Sequence, residues 1–579
     1  MSHEEKDSYA DDKEKGTGVY TTHVPIDESD PRYHFDPHDL GASYFRHRRP
    51  RSSSYRPGTA SAQATPCPNI AGTIGTGLFL GSGKALARAG PAGALIAYIH
   101  VGSVAYSSLC AVGEMTCFAP VSGTFPHFAA RWVDPAFGFA VGWNYFYVST
   151  SPGRHQAPAL THVQTQSITV PVEVTAAQII LTFWDKSHTR GIAYTAIIIV
   201  FMCSINLFGV RYFGESEFFF AIIKLTLITG LILVGLIIDL GGGPDGDRRG
   251  FRYWKNPGAF NTYLVHSPVS TGRFLGILGV LVQAAFSFQG MELVAVAASE
   301  TENPRRNIAK AVRRVFYRIL IFYILGILIT GMIVPYNNPD LLQDTGTSAQ
   351  SPYVIAIHLA GIKVLPHIIN ACVFTSAFSA GNSFLYTASR ILYGLAVRGQ
   401  APRIFAKCTR AGLPIVAVLT CSCFALLSFM NVSTDGSTVF NWLVNLTTIG
   451  GFFTWCSINI TYIRFYRGLK AQGIDRKQLI YYSVLQPWLS YWGVFWTGLF
   501  ILINGFAVFF DFDASDFFTC YINVPIFFGL FIGWKLYKRT KFWKTSDMDF
   551  TTGVPSVQET ESPEVPPKNL GEKIFNIIF

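Results

Sequence analysis

Twelve apolar segments, most of them close to the ~20 residues that span a bilayer as a helix, dictate what this chain can fold into. They lie near 70–89, 91–113, 136–183, 191–210, 217–239, 274–298, 315–335, 364–397, 414–431, 437–464, 491–511 and 517–538. Inside hydrocarbon no water satisfies backbone N–H and C=O groups, so segments of this length become helices. Half of the 579 residues are hydrophobic and 14% are charged, against about 25% charged in an ordinary soluble protein. The aromatic share of 15% suits rings placed at the two membrane–water interfaces. The chain reads as an all-α polytopic membrane protein.

Its net charge of +10 does not point to nucleic acid, because Lys and Arg are spread over short loops rather than gathered in one stripe. Those loops set the topology. One set holds Arg305, Arg306, Lys310, Arg313 and Arg314, then Arg398, Arg403, Lys407 and Arg410, then Arg464, Arg467, Lys470, Arg476 and Lys477. The alternate set includes the acidic stretches Asp340 to Asp344 and Asp511 to Asp516. The bias predicts both termini in the cytoplasm. Residues 1–69 read as a polar, disordered tail, 70–544 as the transmembrane domain and 545–579 as a second cytoplasmic tail. Of ten cysteines, Cys110, Cys203, Cys372, Cys421, Cys423 and Cys456 fall inside apolar segments. They read as small buried hydrophobes, and neither a metal nor a cofactor is expected.

Two of the twelve segments, the first and the sixth, are broken by glycines and polar residues. The first contains Gly72-Thr-Ile-Gly-Thr-Gly77, and the sixth contains Gln283-Ala-Ala-Phe-Ser-Phe-Gln-Gly290-Met-Glu292. A helix broken at membrane depth leaves polar backbone groups that only protein or a water-filled cavity can satisfy. One such break also reads as a close helix crossing on small residues. Two, heading matching five-helix halves, point to a small-molecule site between inverted repeats.

The first break, extended to Leu78-Phe-Leu-Gly-Ser-Gly83, resembles the signature of the amino acid–polyamine–organocation superfamily in its fungal amino acid permease form. Gly113-Glu-Met115, Pro120-Val-Ser-Gly123, Phe286 to Glu292 and Ser299-Glu-Thr-Glu-Asn-Pro-Arg305 extend the resemblance, which runs from about Gly72 to Lys544. It implies five-plus-five inverted repeats with broken helices 1 and 6, two further helices, and proton-coupled import of amino acids across the plasma membrane. The expected partners are an amino acid, a proton and the lipid bilayer, with no indication of oligomeric state. By resemblance the amides of Gly75, Thr76 and Gly77 take the substrate carboxylate. Carbonyls around Thr73, Phe286 and Gln289 take its ammonium; Ile74 and Ser287 lie in the same two stretches, and Phe286 stands where the family has an aromatic lid. Glu173, on the helix that lines the family's pocket, and Glu292, one turn past the second break, complete the expected substrate set.

Lys224 interrupts Phe218-Phe-Phe-Ala-Ile-Ile-Lys-Leu-Thr-Leu-Ile. An intramembrane lysine marks a relay or pathway by default, or else snorkels toward an interface. The resemblance makes it the carrier of the coupling proton, with Ser376, Ser379 and Ser383, one face of the eighth helix, as neighbours. Glu114 and the stretch from Glu300 to Arg306 are expected at helix ends, as solvated or gate-type ion pairs.

Two stretches depart from the family. Before Gly72, Tyr55 to Asn69 carries Pro66 and Pro68 where an apolar half-helix belongs. Residues 150–167, with Pro152, Gly153, Arg154, His155, Pro158 and His162, divide the third helix. A translated intron with a mis-joined exon over 58–69, and a real loop insertion, are both open readings. They leave an alternative to import: an amino-acid sensor, or a non-transporting permease-like protein.

Overall fold

The computed structural model describes residues 76–121, 123–146, 166–185, 187–208, 210–244, 246–293, 303–342, 351–409, 412–432, 436–560 and 569. Eight helices among them are long and apolar enough to cross a membrane, or nine if the bent pair near the C-terminal end is one span. The other apolar segments correspond to divided, bent or shorter helices, as follows.

The first, α1 (Thr76–Phe118), has 43 residues. Straight, it would measure about 65 Å, twice the thickness of the hydrocarbon. It turns instead at Gly90 (φ 75°, ψ 174°), immediately before Pro91. A Cβ placed on Gly81 would lie 4.0 Å from the Tyr98 hydroxyl, whereas a straight helix separates those positions by about 25 Å. The limbs 76–89 and 91–118 are therefore neighbouring, antiparallel spans. The turn is plugged by the loop ahead of the sixth segment: Ala92 donates its N–H to the Ala259 carbonyl (2.9 Å) and Asn261 donates to Ala89 (3.0 Å). The Asn261 amide also reaches the Ala87 carbonyl at 2.6 Å.

Two short helices, α2 (Thr124–Trp132) and α3 (Pro135–Phe146), precede the interruption, and α4 (Gln166–Leu181) follows it. Residues 58–69 and most of 150–167 lie outside the described residues, except that Gln166 and Ser167 open α4. Next come α5 (His188–Leu207) and α6 (Val210–Asp239). The latter begins seven residues earlier than the apolar pattern predicts (217 against 210), because Arg211, Glu215 and Glu217 on its opening turns mask a continuous helix. The broken sixth segment supplies α7 (Val269–Phe288). The seventh span is α8 (Pro304–Arg318) carried through the π-helical turn Ile319–Leu325 into α9 (Gly326–Ile333). The remaining spans are α10 (Leu365–Val397), α11 (Ile415–Phe424) with its 3-10 continuation Ala425–Val432, α12 (Gly436–Ala471), α13 (Trp488–Ile503), and the pair α14 (Ala514–Tyr521) and α15 (Asn523–Lys538), bent by 41°.

The interior is tightly filled. Trp132, Trp455, Tyr98, Tyr145 and Phe288 are among the largest side chains with almost no exposure. Sequence reads 545–579 as a tail; the described residues up to 560 dock on the bundle. Met548 and Phe550 are buried, and the Phe550 ring stacks on Trp132 at 5.7 Å. Arg131 pairs with Asp549 at 3.0 Å, and Arg305 donates to the carbonyls of Pro555 (2.6 Å) and Ser556 (3.1 Å).

Candidate substrate and coupling site

The start of α1 and the end of α7 touch. A Cβ on Gly77 would lie 2.8 Å from Ser287 Cα and 3.0 Å from Phe286 Cδ1, so only glycine allows this approach. At α7's end Gln289 turns to an extended conformation (φ −63°, ψ 150°) and Gly290 takes φ 91°. A helix start presents N–H groups without intrahelical partners and about half a positive charge; a helix end presents carbonyls and about half a negative one. Here the negative end of α7 lies against Gly77, a place suited to the ammonium of an α-amino acid, while the stretch ahead of Thr76 lies outside the described residues.

The side chains around the second break are anchored rather than loose. The Ser287 hydroxyl lies 3.3 Å from that of Tyr98, on the returning limb of α1. Gln289 donates to the carbonyls of Thr447 (3.3 Å) and Thr448 (3.2 Å) on α12. Glu292 accepts from the Tyr145 hydroxyl of α3 at 3.1 Å and from the Trp455 indole of α12 at 3.3 Å. Phe286 packs in a separate apolar cluster with Ile168, Val172, Ala176 and Ile179 of α4 and Val439, Phe440, Leu443 and Val444 of α12.

A second group of polar side chains lies between α4, α5, α6 and α10. Lys224 is 1% exposed. It does not snorkel: Glu217 and Glu173 are the carboxylates that act on it. Glu173 is buried against Gly381 of α10, whose Cβ would lie 3.2 Å from its own. Glu173 thus belongs with Lys224, and Val172 and Ala176 turn toward Phe286. Ser379 donates to Glu217 Oε2 (2.9 Å) and Asn382 to Oε1 (3.1 Å); Ser383 lies against the same carboxylate, and Ser376 is buried one turn earlier on α10.

Glu114, expected at a helix end, is fully buried rather than solvated. It accepts from Tyr462 (2.8 Å) and the Ser483 amide (3.0 Å), and Arg476 Nε lies 3.0 Å from it. Of the expected substrate residues, Thr73, Ile74 and Gly75 lie outside the described residues, and Thr76 is described only as the first residue of α1. Sequence reading passed over Glu217, Asn206 and Asn382. The acid carried a usable signal: it lies seven residues before Lys224, two helical turns away on the same face.

The model of the amino acid permease family matches residues 67–546. This chain belongs to the amino acid permease family. It is 42% identical to the proline-specific permease of Emericella nidulans over 88% of this chain and 91% of that one. It is 40% identical to the dicarboxylic amino acid permease of Saccharomyces cerevisiae (83% and 78% covered) and 38% identical to that yeast's lysine-specific permease (87% and 80%). These relatives are transporters, not enzymes, and the permease is a multi-pass membrane protein like them. Among solved structures, a manganese transporter of Eremococcus coleocola matches with a TM-score of 0.50 at 12% identity, covering 83% of the permease and 96% of that chain. This likeness speaks for the helical transporter fold alone.

Proposed function

We propose that the permease imports a neutral, apolar amino acid across the plasma membrane by proton symport with alternating access, both termini facing the cytoplasm. The observation that carries this reading is the contact of α1's start with α7's end at Gly77, Phe286 and Ser287. Amides of 75–77 bind the carboxylate, and carbonyls near Thr73, Phe286 and Gln289 bind the ammonium. The substrate's side chain then faces Phe286 and the hydrophobic side chains of α4 and α12 packed around it. A wall of this kind favours an uncharged side chain, because burying an unpaired charge costs several kcal/mol. Proline fits this requirement, as the name of the Emericella relative suggests.

Lys224 carries the coupling proton in this reading, in a buried group with Glu173, Ser379 and Ser383 that is separate from the substrate contacts. Gln289 and Glu292 hold the second break to α12 and α3, so they transmit substrate binding to the bundle. The test is uptake of radiolabelled amino acids by a permease-deficient yeast expressing the chain with and without residues 150–167. The expected result is accumulation of proline that collapses with a protonophore. Preferential accumulation of lysine or glutamate would overturn the side-chain assignment, and binding without accumulation would favour a sensor.

A further inference from the structure

We propose that Glu217 is a positioning residue for proton coupling: a fixed anion that holds the proton on Lys224 and so sets the external pH at which uptake is half-maximal. The inference rests on the reading of Lys224 as the coupling site and adds a residue to it.

A chain of hydrogen bonds starts at a backbone carbonyl. Asn206 on α5 donates its amide to the Met202 carbonyl at 3.1 Å, an oxygen that can only accept. The same NH2 donates to Asn382 Oδ1 at 2.7 Å. Asn382 is thereby committed: its carbonyl faces Asn206, and its NH2 is what remains for Glu217 Oε1, 3.1 Å away. Ser379 supplies a hydroxyl to the other oxygen at 2.9 Å. Glu217 thus meets donors on both oxygens, the arrangement that suits a carboxylate rather than a carboxylic acid.

Lys224 follows seven residues later on α6, about 10 Å up the helix and only about 20° round it. Both side chains therefore leave one face, toward α10. From α5 and α10 the groups facing Glu217 are amides and hydroxyls; the charged side chain acting on it is Lys224. Among the described residues Glu173, from α4, also acts on Lys224. When Lys224 releases its proton, Glu217 is left as a buried anion without its cation, a costly state. The anion therefore favours the protonated lysine, and removing it should make the proton harder to hold.

The test uses the purified full chain in proteoliposomes, with internal pH fixed and external pH varied, and an equimolar mixture of radiolabelled protein amino acids as probe. Glu217→Gln keeps the hydrogen-bonding shape, since an amide can offer its oxygen to Asn382 and its NH2 to Ser379. Its half-maximal uptake is expected at an external pH lower by about one unit or more, roughly a tenfold rise in the proton concentration required. Glu217→Asp keeps the charge and should keep the midpoint. In a Lys224→Met background the Gln substitution should shift nothing further. A variant too slow for uptake is read instead by the pH midpoint of thermal stabilisation by the same mixture. A wild-type midpoint in Glu217→Gln beside an altered Lys224→Met profile would show a mere strut and overturn this inference alone. A Lys224→Met protein with the wild-type profile would remove the coupling reading itself.

Discussion

Glu292 shows what one residue does when its helix stops. It stands just beyond the Gly290 turn and ties that turn to α3 through Tyr145 and to α12 through Trp455. Replacing it with alanine strands two buried donors, each worth about 1–3 kcal/mol when left without an acceptor. Glu292→Gln retains a carbonyl for the indole, and its NH2 can meet the tyrosine oxygen. The alanine variant should therefore melt well below wild type and the glutamine variant close to it, as followed by tryptophan fluorescence in detergent. At Gly77 the demand is steric: Gly77→Ala drives a methyl into Ser287's backbone. Uptake should fall at least tenfold, and the melting temperature should drop as well, because the clash is with backbone rather than with a flexible side chain. The sequence made both positions visible, Gly77 and Glu292 through the two interrupted segments. It could not show Tyr145 and Trp455, which lie 147 and 163 residues away along the chain. Glu217 was passed over for another reason: it stands at the first position of the apolar run 217–239, where an acid reads as the solvated start of a helix.

Among elements, the hairpin inside α1 has a geometry that depends on a single residue. Gly90 adopts a backbone conformation open in practice to glycine alone. A Cβ there would also fall 2.8 Å from the Asn261 amide and 2.9 Å from the Ala259 carbonyl, the groups that plug the turn. Gly90→Ala combines ~1–3 kcal/mol of backbone strain with loss of that plug. The expected outcome is a lower yield of monodisperse protein and an earlier thermal transition; a wild-type melt would refute the account. Apolar length separated these two spans, because Gly90-Pro91 interrupts an otherwise continuous hydrophobic run. Apolar length fell short at α6, where amphipathic turns precede the hydrophobic ones, and at α8, whose basic turns carry the seventh span back to Pro304.

At the scale of the molecule, the segment after α15 joins parts of the bundle that sequence keeps far apart. Trp543 donates its amide to Val133 and its indole to Ala130. Arg131 and Trp132 donate to the Asp549 carbonyl, Gln472 to that of Met548, and Arg305 to those of Pro555 and Ser556. Most of these bonds end on backbone oxygens of the segment, so its own side chains need not advertise the docking. That is why 545–560 reads as a polar tail: Met548, Phe550 and Val554 are too sparse for a periodic pattern. They are enough to anchor it, since Phe550 contacts Phe118, Trp132 and Phe465 at 5.7, 5.7 and 5.8 Å between ring centres. Phe550→Ala should cost about 3–5 kcal/mol, the range for a buried phenylalanine. Truncation after Phe542 should cost more, because it also removes the Pro555 and Ser556 carbonyls from the buried Arg305, which keeps that of Cys117, and the Asp549 carbonyl from the Trp132 indole. The arms are wild type, Phe550→Ala and the truncation, melted in the same detergent. A truncated chain as stable as wild type would mean that the bundle holds these parts together without the segment. A truncated chain less stable than Phe550→Ala would assign the difference to the carbonyl contacts, which a single side-chain deletion leaves in place.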